Sequence, residues 1–300
     1  MASQPTASIV IPTRDRPEYL GVTLASVMPQ ARTADVEVLV VDDGVDAETA
    51  RVAQLHGARL LRAPASGANA ARNAGLTAAA GDLIVLIDDD VEAPPGWLAA
   101  MLRGAAQTPD RDVFGGPIRA RLEGGLRSCG REQPPITTLD RGPEDRDVDV
   151  VWGANMAVRR RAWELVGPFD ETIVGRGEEE DWQWRYAARG GHVRYLAAAG
   201  LDHRRSRADS TIWRLSLAAY GLGRTARRYD VRRGRAPRLA AELRTLAGCV
   251  WHIGRRRCLN GVVLTAHSAG RVREAVADRA REAVRFLPGP SSRSAPGPGS

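Results

Sequence analysis

Lysine is absent from this 300-residue sequence, in which all 43 basic residues are arginines. The absence excludes enzymes that form a Schiff base on a lysine and nucleotide-binding proteins that use a P-loop lysine. Cysteine is scarce as well, because the three present, Cys129, Cys249 and Cys258, stand far apart and form no Cys-x-x-Cys pair. No disulfide framework is therefore expected, and a reducing cytoplasm is the location that fits best.

Long hydrophobic runs are also missing. The longest apolar stretches, Leu246–Ile253 and Val262–Ala266, are short or interrupted and fall well below the roughly 20 residues that span a bilayer. The amino terminus, Met-Ala-Ser-Gln-Pro-Thr, lacks the basic and apolar regions of a secretory signal. We therefore predict neither a transmembrane helix nor export.

The net charge of +7 is unevenly distributed along the chain. Residues 204–300 contain 21 arginines and 6 acidic residues, whereas residues 1–203 contain 22 arginines and 30 acidic residues. Together with the apolar residues of 239–253, this charge favours basic helices that touch anionic lipid at the inner face of the cell membrane. A helical cap with solvated arginines is the alternative. Nucleic acid is not expected as a partner, because interleaved aromatics and a known binding motif are lacking.

Short aliphatic runs alternate with segments of helical length over the first 87 residues. The runs predict buried strands at Ser8–Ile11, Val36–Val41, Ala58–Leu61 and Leu83–Ile87. Helices are predicted between them at Glu18–Met28, Ala47–Gln54 and Ala68–Ala79. This βαβαβαβ order predicts an α/β fold with a parallel sheet that is covered by helices on both faces.

The later segments are less regular. Helices are predicted at Pro95–Ala106, Arg160–Val166 and Glu178–Arg189, and strands at Val113–Leu122, Val148–Trp152 and Val193–Leu196. Residues 123–147 are rich in glycine, proline and charge and predict a mobile loop. We expect a basic helical region over residues 204–290 and a disordered tail over residues 291–300.

Three consecutive aspartates, Asp88, Asp89 and Asp90, follow the most apolar of the predicted strands. Because side chains alternate along a strand, Asp88 and Asp90 can point the same way, at the edge where open α/β sheets bind ligands. Adjacent carboxylates repel one another unless a cation compensates them, and Mg²⁺ or Mn²⁺ takes oxygen ligands that it shares with phosphates. The cluster predicts a metal and diphosphate site, with a helix N-cap at Asp90 as the alternative.

A second acidic strand end, Asp42-Asp43-Gly44, lies on the same edge of the predicted sheet. A carboxylate there can accept hydrogen bonds from a nucleobase imino group or a ribose hydroxyl, although Asp-Gly is also common in turns. The helix that begins after Gly67 contains small residues and Arg72, which can bind a diphosphate through two hydrogen bonds. The Gly-x-Gly-x-x-Gly of dinucleotide-binding folds is absent after the first strand, which argues against a dehydrogenase.

Further candidates lie beyond residue 150. The acidic run Glu178–Asp181 begins a predicted helix, where the helix dipole stabilises anions, and one of its members can act as a general base. Acidic first turns are also frequent without any function. Trp152, directly before Gly153-Ala-Asn155, can line a sugar pocket, and His203 is either a ligand or a structural histidine.

Six motifs occur in order along the chain. They are Ser8-Ile-Val-Ile-Pro-Thr13, Glu37-Val-Leu-Val-Val-Asp-Asp-Gly44, Ala71-Arg-Asn-Ala-Gly75, Gly81-Asp-Leu-Ile-Val-Leu-Ile-Asp-Asp-Asp90, Gly153-Ala-Asn-Met156 and Gly167-Pro-Phe-Asp170 with the acidic helix start. In this order and spacing they resemble the family-2 glycosyltransferases of the GT-A fold. The resemblance covers about residues 7–203, with a donor-binding half over about 7–120 and an acceptor and catalytic half over about 148–203.

The resemblance also implies roles for individual residues. It implies nucleotide contacts by Pro12, Thr13, Arg14, Asp43, Arg72, Asp88 and Asp89. It implies metal binding by Asp90, Asp88 and His203, and contacts to the donor sugar or acceptor by Trp152, Gly153 and Asn155. The family usually takes its catalytic base from a Glu-Asp pair at the start of this helix. Here the pair is Glu178-Glu179, which leaves the base open among Glu178, Glu179 and Asp181.

The activity that the resemblance implies is an inverting transfer of a sugar from a nucleotide diphosphate donor to an acceptor hydroxyl, with Mn²⁺ or Mg²⁺ as cofactor. The base would deprotonate the hydroxyl while the metal neutralises charge on the departing diphosphate. Cell-envelope glycan, glycolipid or secondary-metabolite glycosylation is the expected setting, with a lipid-linked acceptor as one option. One alternative is a nucleotidyltransferase on a related sheet, which would release pyrophosphate. The other is a nucleic-acid binding protein that uses the arginine-rich carboxy-terminal region.

Overall fold

Strands and helices alternate over the first 87 residues, as the hydrophobic pattern predicts. The computed structural model describes residues 6–124, 138–173 and 177–285. Its first strands are β1 (Ala7–Thr13), β2 (Glu37–Asp42), β3 (Arg59–Arg62) and β4 (Leu83–Ile87), and the helices between them are α1 (Pro17–Thr33), α2 (Ala47–His56) and α3 (Ala68–Ala78). Every element predicted in this segment is present. The largest difference is at α1, which continues through Pro29 to Thr33.

The large sheet extends beyond this segment with four more strands. They are β6 (Val113–Gly115), β8 (Arg146–Val148), β9 (Asn155–Arg159) and β10 (Val193–Tyr195). Within the described residues the strand order is β3-β2-β1-β4-β9-β6-β10-β8. The first four strands are parallel, but β9 runs antiparallel to both β4 and β6. The parallel sheet predicted from the first 87 residues is therefore confirmed there, and the sheet as a whole is mixed, with a parallel half that ends at the aspartate cluster.

A small second sheet is formed by β5 (Val91–Glu92), β7 (Ile118–Leu122) and β11 (Leu201–Arg205), in the order β5-β11-β7. The single strand predicted over Val113–Leu122 is wrong, because β6 and β7 belong to different sheets. The chain turns between them at Gly116, where a Cβ atom would lie 2.1 Å from the carbonyl oxygen of Ala199. The predicted strand Val148–Trp152 is also wrong in its bounds, since β8 ends at Val148.

Three further helices flank the sheets: α4 (Trp97–Gln107), α5 (Arg160–Val166) and α6 (Glu178–Ala187). Helix α4 begins after Gly96, whose φ of +87° favours glycine as the N-cap. The N-cap alternative for Asp90 is therefore wrong, because Asp90 precedes β5 and caps no helix.

The core lies between the large sheet and its helices. Ile9, Ile11, Leu39 and Ile84 are fully buried, and each such side chain contributes about 1.5–3 kcal/mol relative to an exposed one. A cluster of aromatic side chains joins α5 to α6. It includes Trp163, Phe169, Trp182 and Tyr186. The Trp182 indole donates a hydrogen bond of 2.7 Å to the carbonyl oxygen of Gly167. These contacts fix the position of α6, whose first turn is acidic.

The region predicted as basic and helical contains α7 (Ile212–Arg232), α8 (Leu239–Arg256) and α9 (Asn260–Arg285). Helices α7 and α9 approach closely at glycines, since a Cβ on Gly270 would lie 2.1 Å from the carbonyl oxygen of Tyr220. Among the helices described, none is both long and apolar enough to cross a membrane. The predicted tail over residues 291–300 and most of the predicted loop over 123–147 lie outside the described residues.

Candidate active site

A cleft of about 500 Å³ opens at the carboxyl ends of the parallel strands. This is the edge at which open α/β sheets bind ligands. Much of its wall consists of residues that the sequence singles out, namely Pro12, Thr13, Arg14, Asp43, Arg72, Asp88, Asp89, Asp90 and Glu178. The strand ends that the sequence predicts to be neighbours therefore do meet in one cavity.

Asp88, Asp90 and His203 form a group able to bind a divalent metal ion. One ligand atom from each lies within 4.8 Å of the others. The Nε2 atom of His203 is 3.2 Å from Oδ1 of Asp90 and 3.8 Å from Oδ2 of Asp88. The small sheet makes this approach possible, because the register of β11 against β5 places His203 opposite Val91.

The chemistry of this group fits Mn²⁺ or Mg²⁺. Oδ1 of Asp90 is buried and has no hydrogen-bond partner among the described residues, as expected of an oxygen placed to bind a cation. Carboxylate oxygens suit both ions, and an imidazole is a better ligand for a transition metal such as Mn²⁺ than for Mg²⁺. Burial opposes protonation of His203, but the nearby negative charges of Asp88 and Asp90 outweigh it and raise the pKa of His203.

The middle aspartate points to different partners. Asp89 accepts a hydrogen bond of 2.7 Å from the Thr13 hydroxyl and one of 2.8 Å from Arg16. The second terminal nitrogen of Arg16 donates to Oδ2 of Asp90 at 2.7 Å. Burial raises the pKa of Asp89 to about 7, against the opposing charge of Arg16. Asp89 and Arg16 thus hold Asp90 in place, and Arg16 is a site residue that the sequence analysis missed.

Asp43 lies at the opposite side of the cleft. Its Oδ2 accepts a hydrogen bond of 2.7 Å from the backbone N–H of Gly67 and is 3.5 Å from the guanidinium of Arg14. The turn expected from Asp-Gly is present too, but Asp42 forms it by accepting the Gly44 N–H at 2.7 Å. The turn interpretation is therefore confirmed for Asp42, while the nucleotide contact of Asp43 stays a prediction.

Arg72 connects the metal-binding group to the acidic helix. One terminal nitrogen donates to Glu178 at 2.8 Å, and the other donates to Asp88 at 3.2 Å and lies 3.9 Å from Glu179. The sequence predicts that Arg72 binds a diphosphate through two hydrogen bonds. The structure corrects that geometry, because both terminal nitrogens already face carboxylates.

The three candidate bases at the start of α6 differ in their surroundings. Glu178 lines the cleft and is paired with Arg72. The side chain of Glu179 is only 12% exposed, and burial together with the charge of Glu178 raises its pKa to about 7. Neither Glu179 nor Asp181 lines the cleft, but Glu179 lies 3.9 Å from the guanidinium of Arg72, whereas Asp181 forms an ion pair of 3.0 Å with Arg185. Its predicted role as a base is not supported by its position.

Gly153 adjoins Glu179. Its N–H donates a hydrogen bond of 3.1 Å to Oε1 of Glu179, and a Cβ atom at this position would lie 2.7 Å from that oxygen. Glycine is needed here because the carboxylate approaches the backbone so closely. Trp152 is half-buried beside it, and its indole donates to the carbonyl oxygen of Thr138 at 3.3 Å.

Asn155 does not contact the cleft as predicted. Its side chain is fully buried, donates to the carbonyl oxygens of Ala199 at 2.7 Å and Pro117 at 3.2 Å, and accepts from the Trp97 indole at 3.0 Å. These bonds use its donors and acceptor within the core, so the prediction of a sugar contact is wrong.

Two asparagines of α3 were missed by the sequence analysis. Asn69 donates to the carbonyl oxygens of Asp170 and Ile173, both at 3.0 Å. Asn73 donates to the carbonyl oxygen of Phe169 at 3.0 Å and accepts its N–H at 2.9 Å. They hold the segment 169–173 against the cleft. Their spacing of four residues on an alanine-rich helix was the signal that could have revealed them.

Comparisons with known proteins agree with this geometry. The family described as Glycosyl transferase family 2 matches residues 8–166. The O-antigen biosynthesis protein RfbC of Myxococcus xanthus is 28% identical over 245 residues, which are 72% of this chain but 19% of that protein. The chain therefore spans only a small part of that relative.

Solved structures show the same fold. The mannosyltransferase PcManGT from Pyrobaculum calidifontis, in complex with GDP-Man and Mn²⁺, has a TM-score of 0.57 at 16% identity over 95% of this chain and 77% of its own. GalNAc-T7 with UDP, GalNAc and Mn²⁺ has a TM-score of 0.56 at 14% identity over 96% and 59%. Both are glycosyltransferases by name. With more than half of its length matched by the family, this chain belongs to glycosyl transferase family 2 and has the GT-A fold.

Proposed function

We propose that this protein transfers a sugar from a nucleotide diphosphate donor to an acceptor hydroxyl, with inversion at the anomeric carbon and with Mn²⁺ or Mg²⁺ as cofactor. The observation on which this rests is that Arg72, in the wall of the cleft, joins Asp88 of the metal-binding group to Glu178 and lies 3.9 Å from Glu179. A metal-binding group beside a weakly acidic carboxyl is what such a transfer requires.

The donor would lie across the strand ends. Asp43 and Thr13, both in the cleft wall, would contact the nucleoside, and the carboxylates of Asp88 and Asp90 would hold the metal and diphosphate. The open amino terminus of α3, with its unpaired N–H groups, favours anions between them. The GDP-Man and Mn²⁺ of the mannosyltransferase support a donor of this class.

We assign the base to Glu179 because of its surroundings, since it is buried beside Glu178 and lies 3.9 Å from Arg72. Its pKa of about 7 lets it accept a proton near neutrality, whereas Glu178 is held by the guanidinium of Arg72. Glu179 would take the hydroxyl proton as the acceptor oxygen attacks the anomeric carbon. The bond to the diphosphate breaks on the opposite face, and the diphosphate leaves with the electron pair. A bound divalent ion would neutralise the charge that develops there.

Purified protein incubated with a panel of nucleotide sugars, with and without Mn²⁺, tests the proposal. We expect donor- and metal-dependent release of nucleoside diphosphate. Asp90→Asn should abolish the metal-dependent release of nucleoside diphosphate. Glu179→Gln should lower kcat by about 100-fold or more, the usual contribution of general base catalysis, while donor binding is retained. Asp181→Asn is the matched control and should leave the rate unchanged.

The same assay can contradict the proposal. Release of pyrophosphate in place of nucleoside diphosphate would identify a nucleotidyltransferase. Normal rates in both Asp90→Asn and Glu179→Gln would show that the chemistry takes place elsewhere. Product stereochemistry, read by NMR of the anomeric proton, would reject inversion if the configuration of the donor were retained.

We also propose that the enzyme acts in the cytoplasm at the inner face of the cell membrane, on a lipid-linked acceptor of a cell-envelope glycan, a glycolipid or a secondary metabolite. The basic helices α7, α8 and α9 support this placement. The name of the O-antigen relative supports an envelope glycan.

A further inference from the structure

Helix α8 exposes an apolar stripe. Of its 18 residues only Glu242 is buried, so the helix as a whole lies on the surface. Leu243, Ala247, Val250 and Trp251 recur at spacings of three and four residues and so share one side of the helix. Leu243 is 47% exposed, Val250 53% and Trp251 71%. We call these four residues the α8 stripe.

The charges around the α8 stripe all have one sign. Arg238, Arg244, Arg255, Arg256 and Arg257 are exposed. The single acidic residue between positions 238 and 257 is Glu242, which is 3% exposed and ion-paired with Arg271 at 2.8 Å and with Arg227 at 3.5 Å. The charge that this segment presents to solvent is therefore entirely positive.

We infer that α8 binds flat on an anionic lipid bilayer, with the α8 stripe in the acyl boundary and the arginines at the headgroups. Tryptophan and arginine are favoured at such interfaces, and an exposed apolar stripe flanked by cations is typical of helices that lie on a membrane. A second copy of this chain would oppose five arginines to five arginines, which is unfavourable. A nucleic acid would use the arginines but leave the α8 stripe exposed.

The surface is connected to the acidic helix of the cleft. Glu242 of α8 pairs with Arg227 of α7, and two residues further along α7 Tyr229 packs on Gly177, the N-cap of α6. A Cβ atom on Gly177 would lie 2.8 Å from the Tyr229 ring. Binding of α8 would thus fix the orientation of the cleft relative to the bilayer. Only the identity of the acceptor rests on the proposed function, because the bilayer contact is derived from α8 alone.

Co-sedimentation of the full chain with sucrose-loaded vesicles tests the inference. We expect binding to vesicles that contain 30% phosphatidylglycerol in phosphatidylcholine, and little binding to pure phosphatidylcholine. Substitution of Arg255, Arg256 and Arg257 by serine should weaken binding by about 100-fold, since each arginine near an anionic surface contributes roughly a fivefold factor. Trp251→Ser should weaken it by about tenfold or more.

The matched controls replace exposed residues that are distant from α8 in the sequence. Leu55→Ser replaces a side chain of α2 that is 71% exposed, and the triple substitution of Arg51, Arg59 and Arg103 by serine removes the same charge from exposed positions. Both should bind vesicles as the natural protein does. Thermal unfolding of every variant, measured by circular dichroism, should show unchanged midpoints, which separates lost binding from lost folding.

Three results would overturn the inference. They are no binding to anionic vesicles, equal binding by the α8 variants and the natural protein, and tighter binding to a DNA or RNA duplex that Trp251→Ser leaves unaffected. A concentration-dependent dimer that Trp251→Ser dissociates, without vesicle binding, is a case of the first result and would identify a second copy of the chain as the partner of the α8 stripe. None of these readouts depends on turnover, so failure of the proposed transfer reaction would leave the vesicle result intact and distinguishable.

Discussion

At the scale of single residues, the cleft depends on close approaches that leave no spare volume. Gly153 admits the carboxylate of Glu179, and Arg16 spans Asp89 and Asp90 with its two terminal nitrogens. The sequence predicted Gly153 as a contact to sugar or acceptor. The structure shows a different reason for glycine, which a sequence cannot reveal because the neighbour lies 26 positions away.

Gly153→Ala should therefore lower kcat by about tenfold or more and leave the KM for the donor nearly unchanged. The new methyl group would lie 2.7 Å from Oε1 of Glu179 and displace the carboxylate, and a small misplacement of a catalytic group is costly. Steady-state kinetics measure the effect. Gly248→Ala, at a position with open space around it, is the control, and an equal loss in both variants would contradict the explanation.

The rate should also depend on pH through Glu179. Its pKa is raised to about 7, and only the deprotonated form can accept the hydroxyl proton, so kcat should rise as pH increases through about 7 and then level off. Rates measured between pH 5.5 and 8.5 test this expectation. The residual activity of Glu179→Gln should lack that rise, and a profile with the same inflection in both proteins would assign the titration to another group.

At the scale of helices and strands, the sequence correctly predicted those elements whose residues follow a single hydrophobic pattern. The aliphatic strands β1, β2 and β4 are continuous buried runs, and β3 is a short, partly exposed aliphatic run at the edge of the sheet, so their existence and order followed from the sequence. Strand β9 was missed because Asn-Met-Ala-Val-Arg has a single β-branched residue and is stabilised by pairing with β4 and β6 on both sides. The division between β6 and β7 is set by tertiary contacts of Gly116, which no local pattern contains.

The helical region allows a test of packing at the same scale. Gly270→Ala places a methyl group 2.1 Å from the Tyr220 carbonyl oxygen, so α7 and α9 must separate, and the free energy of unfolding should fall by about 1–3 kcal/mol. Chemical denaturation measures the loss. Gly221→Ala adds the same atom to α7 in open space and should be neutral or stabilising; a similar loss there would point to the helix itself rather than the contact.

At the scale of the whole molecule, the chain combines an acidic amino-terminal part with a basic carboxy-terminal one. The sequence predicted this division, the family and the meeting of Asp43 with Asp88 and Asp90 at one edge. It did not predict the second small sheet, because β5 and β7 are short and β11 contains three charged residues among five. From the sequence, therefore, only the family resemblance implied that His203 binds the metal. The register of β11 against β5 explains its position in the structure.

That register has a consequence for how the enzyme is made. Asp88 and Asp90 leave the ribosome long before His203, which reaches them only when β11 has paired with β5. A nascent chain that has not yet emerged beyond this strand lacks His203, so the group able to bind a divalent ion is incomplete until late in synthesis. The two aspartates alone are presented to solvent until the small sheet closes beside them.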